Sequence, residues 1–295
     1  MRRNLIGKAA IQEKCRGLDI PLERLFASYV LEQLVLKLAG SGRGERLLLK
    51  NPDVLGLKKI GKGSSYRLEY CYLLRPQEIF GKADFSQFLK TTIKWEQETN
   101  IEWSWRSHME DGRLCVNLTA LLDEMRMPVE LEVTPIQESA LTHPPKEYTL
   151  RFVMENNKTG SLLLYPAEEM LFDALGEVLT KLELIGDMGA YERIYEILGS
   201  CGFEGRQFQK KLIQFCEELG VAMDEARFEL LDRYLTYPYL MKKWKGFLKK
   251  RRRNTPDWEE VYGRFWRFLK PLWSAKLEGL VYLGSWIPDL GRYLD

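Results

Sequence analysis

The apolar residues of this 295-residue chain change their period twice, and that restricts its fold more than any single motif. From Pro21, a residue suited to a first helical turn, Leu25, Phe26, Tyr29, Val30 and Leu34 recur at three and four residues, which predicts an amphipathic helix stopped by the glycines near residue 40. In the middle the period falls to two: Ile101, Trp103 and Trp105 alternate with Glu102, Ser104 and Arg106, and the stretches 114–118 and 128–133 alternate as cleanly. Further strands are expected at 91–93, 148–154 and 162–165, with a short apolar run at 46–50, an aromatic- and leucine-rich stretch at 66–74 and a short helix at 85–89. From Pro166 the period returns to 3.6 through six segments, the last opened by Asp257 as a cap. The expected fold is α+β: entry helices, a mixed β-sheet of five or six strands flanked by helices, then an α-helical half. The expected boundary lies between residues 1–165 and 166–295.

Composition removes several functional classes. No apolar run approaches the ~20 residues of a membrane span, so no membrane partner is expected and a cytoplasmic location is. Lys plus Arg at 44 against Asp plus Glu at 42 gives a net charge of +2, so any basic footprint must be local. Five scattered cysteines without a CxxC pair argue against a disulfide framework or zinc knuckle. Only His108 and His143 are present, and both sit in stretches that read as turns, which argues against a His-based catalytic device.

The order of segments resembles the AbiEii/AbiGii toxin family of nucleotidyltransferases over about residues 11–272. The family's long N-terminal helix is similar to residues 25–38, and its F-V-L-K-G-G strand to Leu47-Leu48-Leu49-Lys50-Asn51-Pro52. Its I-P-L-x-I-D-I strand is similar to Met127-Pro128-Val129-Glu130-Leu131-Glu132-Val133. Tyr165-Pro166 and Trp244-Lys245-Gly246-Phe247-Leu248-Lys249-Lys250 match two later segments. The resemblance implies a nucleotidyltransferase-like sheet, Mg²⁺ and NTP as cofactors if the chain is active, and a prokaryotic defence or toxin–antitoxin setting.

Several residues that such chemistry needs are replaced. The Gly-Gly that would cradle a triphosphate is Asn51-Pro52, and proline has no N–H to donate. The metal-binding D-x-D aligns with Arg67-Leu68-Glu69, a guanidinium standing for the first carboxylate. The third carboxylate survives as Glu132. A helix Glu-Lys pair is replaced around Phe172-Asp173, with Lys181 about two turns on. These losses argue for a degenerate member, a pseudoenzyme that needs no cofactor; the alternative is an active Mg²⁺-dependent transferase adding nucleotides to tRNA. Lys50 as a nucleotide-binding residue and Glu69 and Glu132 as catalytic and metal-binding residues form either a vestigial site or an interstrand ion pair.

Two features lie outside that site. Lys242, Lys243, Lys245, Lys249, Lys250, Arg251, Arg252 and Arg253 put eight cations into twelve residues, interleaved with Trp244 and Phe247. The run suits RNA phosphates, or else forms a solvated helix face whose aromatics point inward. The apolar residues of the tail, 275–295, either pack back on their own domain or dock on a protein partner. Gly61-Lys62-Gly63-Ser64-Ser65 lacks P-loop spacing and reads as a hairpin turn.

Overall fold

The computed structural model describes residues 6–55, 66–93, 100–141, 143–155, 159–251 and 254–294. The chain divides into two compact units, Met1–Pro166 and Ala167–Asp295.

The first unit begins with α1 (Lys8–Leu18) and α2 (Leu22–Ala39). Every residue from Leu25 to Val35 is buried, so α2 is a central helix there and not the amphipathic one expected. The strands are β1 (Leu47–Leu49), β2 (Arg67–Leu74), then, after α3 (Lys82–Ile93), β3 (Glu102–Glu110), β4 (Arg113–Leu122), β5 (Met125–Gln137), β6 (Lys146–Arg151) and β7 (Thr159–Leu164). They form one mixed sheet in the order β3-β4-β5-β2-β1-β7-β6, seven strands among the described residues. The pairs β2–β5 and β1–β7 are parallel and the others antiparallel.

Alternation sorts the two faces. Leu47, Leu49, Leu68, Tyr70, Tyr72, Leu131 and Val133 join the core that contains α2, while Arg67, Glu69, Cys71 and Glu132 take the opposite face. Two sequence expectations change here. Residues 91–93 finish α3, because Phe85, Phe88, Leu89 and Ile93 form one buried helical face. His108 lies within β3, not in a turn; the turn is confined to Asp111-Gly112, whose φ values of 48° and 74° suit a two-residue hairpin loop.

The second unit consists of α4 (Ala167–Lys181), α5 (Gly189–Leu198), β8 (Phe203–Glu204), α6 (Gly205–Glu218), α7 (Glu225–Arg233), α8 (Pro238–Lys250), α9 (Trp258–Leu277), β9 (Ser285–Ile287) and β10 (Arg292–Leu294). Helix α9 carries its centre: Tyr262, Phe265, Phe268, Leu269, Leu272 and Trp273 are all inaccessible to solvent. Asp257 caps it, accepting the Glu260 N–H at 2.9 Å. Of the two readings of the tail, the structure shows the first for Trp286, which is buried and donates its indole N–H to the Leu198 carbonyl at 2.8 Å. Strands β8, β9 and β10 form a small antiparallel sheet around it. Leu280, Val281 and Leu283 nevertheless remain exposed.

Candidate functional site

Parallel pairing of β2 with β5 sets Glu69 level with Glu132 on the face turned away from α2. Lys50 follows β1, and its backbone N–H donates to the Glu69 carbonyl at 2.7 Å. The structure therefore brings Lys50, Glu69 and Glu132 onto neighbouring strands. The Lys50 ammonium lies 4.8 Å from the centre of the Tyr165 ring, a cation–π distance.

The carboxylates are engaged by arginines. Arg67 pairs with one oxygen of Glu132, and its Nε lies 3.7 Å from Glu69. Arg113 Nη1 donates to the other oxygen of Glu132 at 3.0 Å. The Glu132 side chain is only 12% exposed, so it depends on these guanidiniums to offset its lost hydration. A carboxylate with both oxygens taken and a guanidinium beside it is a poor ligand for Mg²⁺, which needs free hard oxygens near 2.1 Å. The residues present do not fit a two-metal centre. The phosphate-cradle position is also occupied otherwise: Asn51 donates to the Arg67 carbonyl at 2.9 Å and accepts the Glu69 N–H at 3.0 Å, so its amide extends the β1–β2 ladder. Pro52 opens a 3-10 turn (Pro52–Leu55) immediately afterwards.

Sequence reasoning missed Arg113. The signal was the Asp111-Gly112 hairpin, which fixes β3 against β4 and lays Arg113 and Cys115 on the face that carries Glu132. One row of that face then runs Glu69, Glu132, Cys115, His108 across four strands. Partial burial, helped by the Glu110 carboxylate and opposed by Arg113 and Arg67, pushes the Cys115 thiol above its ordinary value. It is not a thiolate nucleophile at neutral pH.

In the second unit the basic run divides by its helical position. Lys242, Lys245 and Lys249 lie three and four residues apart on α8 and are exposed, as is Lys250. Leu240, Trp244 and Leu248 face inward, and Trp244 donates its indole N–H to the Pro256 carbonyl at 2.9 Å. Trp244 is therefore a core residue and not a base-stacking platform. Lys243 and Arg251 have work within the fold: Lys243 Nζ donates to the Glu183 and Ile185 carbonyls at 3.0 and 2.8 Å, and Arg251 pairs with Glu192. Arg252, Arg253 and Gly61–Ser65 lie outside the described residues. No helix among the described residues is long and apolar enough to cross a membrane.

No family model matches the sequence, and neither does any curated protein. Two solved structures are similar to the chain over most of its length. One is JHP933 from Helicobacter pylori, with a TM-score of 0.46 and 12% identity, covering 88% of this chain and 95% of that one. The other is a candidate nucleotidyltransferase from H. pylori, with a TM-score of 0.36 and 12% identity, covering 88% of this chain and 99% of that one. Both overlaps are too loose to transfer either protein's properties to this chain.

Proposed function

We propose that the chain is a degenerate nucleotidyltransferase-like protein that acts by binding RNA, and not by transferring nucleotides. The observation that carries the first half is Glu132 held between Arg67 and Arg113, where transfer chemistry needs a free metal-binding carboxylate. The second half is supported by the exposed stripe of Lys242, Lys245, Lys249 and Lys250, a local positive charge on a chain whose net charge is only +2. The family resemblance suggests a prokaryotic defence or toxin–antitoxin setting.

Two experiments test the halves separately. The protein incubated with tRNA, Mg²⁺ and each labelled NTP is expected to incorporate no label. Incorporation that disappears in Glu132→Ala would show an active transferase and overturn the first half. For the second half, RNA affinity is measured against salt. Replacing the four exposed lysines of α8 with Gln should lower the magnitude of the log–log slope by about 0.7 for each lost phosphate contact. Unchanged affinity and slope would remove RNA and turn attention to a protein partner at the exposed Leu280, Val281 and Leu283.

A further inference from the structure

The β3–β4 hairpin gathers three different metal-ligating side chains within eight residues. His108 and Cys115 are directly cross-strand, and Glu110 lies two residues beyond His108 on the same face. His108 Nε2 and Cys115 Sγ each lie 3.8 Å from Glu110 Oε2, and all three donor atoms are within 4.8 Å of one another. We propose that His108, Cys115 and Glu110 bind a zinc ion, with the fourth position of its tetrahedron open to water.

The spacing is the first argument. Zinc bonds of about 2.0–2.3 Å in a tetrahedron set its donors roughly 3.3–3.6 Å apart. Both 3.8 Å separations to Glu110 fall within about half an ångström of that and the His108–Cys115 pair lies within 4.8 Å, so rotations of the exposed His108 and Glu110 side chains are what must draw the three donors together. The thiol proton goes to solvent as the S–Zn bond forms. The donor set is the second argument. Thiolate, imidazole and carboxylate together select zinc over the hard Mg²⁺ and Ca²⁺, which take oxygen alone.

The hairpin also organises the three ligands in advance. A two-residue Asp111-Gly112 turn, both residues at positive φ, holds the strands in fixed register, so little backbone ordering remains for the metal to impose. Arg113, cross-strand from Glu110, pairs instead with Glu132 and Asp111, and the Glu110 carboxylate faces His108 and Cys115. His108 and Glu110 are more than half exposed, which leaves an open path for the ion and for a water on it. This site is independent of the RNA reading and requires no nucleotide.

The test uses the full chain, metal-free at the start, titrated with Co²⁺ as a spectroscopic probe and then with Zn²⁺ by calorimetry. One equivalent of Co²⁺ should bind with a thiolate-to-cobalt charge-transfer band, which Zn²⁺ displaces. Cys115→Ser should abolish the band, and His108→Gln and Glu110→Gln should each weaken zinc by at least about tenfold, since even an outer partner of a metal ligand is worth that much. Cys201→Ser, a thiol in the other unit, should leave the band intact. A circular dichroism spectrum matching the unaltered chain checks that each variant is folded. An undiminished band in Cys115→Ser, its loss in Cys201→Ser, or no Co²⁺ or Zn²⁺ binding at micromolar concentration would each overturn the site.

Discussion

Glu32 sits on α2 with no access to solvent, holding a carboxyl group in the middle of the first unit's core. Burial pushes its pKa up to about 7; hydrogen bonds from the Ser28 hydroxyl at 2.8 Å and the Val153 N–H at 3.2 Å oppose the rise, and the Glu155 carboxylate adds to it. The folded state therefore holds this proton more tightly than the unfolded chain, whose carboxyl titrates near 4.5. The resulting stability is fully present below pH 4.5 and is lost as pH rises through about 7, by on the order of 3 kcal/mol. Urea unfolding between pH 4.5 and 7.5 should show the decline, and Glu32→Gln should remove this component because the amide does not ionise, its one oxygen accepting the Val153 N–H and its NH2 donating to the Ser28 hydroxyl oxygen. An identical decline in the variant would assign it to other groups. None of this was legible in the sequence. Glu32 falls in a stretch with helical spacing, where an acid reads as the solvent face, and only packing on every side of α2 makes it a core residue. Glu132 differs for a physical reason: it too is mostly buried, but two arginines compensate it, and their convergence depends on strands β2 and β4 flanking β5.

At the scale of single elements, α8 has two faces with separable consequences. Trp244 is 2% exposed and its ring centre lies 5.1 Å from that of Phe247 and 6.1 Å from that of Trp258. Trp244→Ala should lower unfolding free energy by about 3–5 kcal/mol through the cavity it leaves. Calorimetric melts of this variant and of the four-lysine Gln variant make the comparison, because each exposed lysine should matter by less than about 0.5 kcal/mol. Equal losses in the two variants would mean that the faces are misassigned. The inward face was readable, since Leu240, Trp244 and Leu248 repeat every four residues. The roles of Lys243 and Arg251 were not, because their partners, the carbonyls of Glu183 and Ile185 and the carboxylate of Glu192, lie 58 to 60 residues away.

At the scale of the whole molecule, the apolar side chains among the described residues form two cores, each drawn from one unit: one from Ile11 to Leu162, the other from Leu171 to Trp286. A fragment of residues 167–295 should therefore fold alone, with helical circular dichroism and a single cooperative urea transition, as expected for a domain of that size. A fragment that is helical but melts without cooperativity would show that its core is incomplete.

The sequence alone determined the periods, and with them the α+β class and the alternation that separates Glu69 and Glu132 from their hydrophobic neighbours. Those are local consequences of backbone geometry: side chains in a strand must alternate, and those in a helix must return every three to four residues. Only the tertiary structure decided that β2 lies between β5 and β1, that Glu69 stands level with Glu132, and that Arg113, Cys115 and His108 share the same face. Register is a non-local property set by the pairing of whole strands, and a one-residue slip of β5 would turn Glu132 into the core and Val133 out of it.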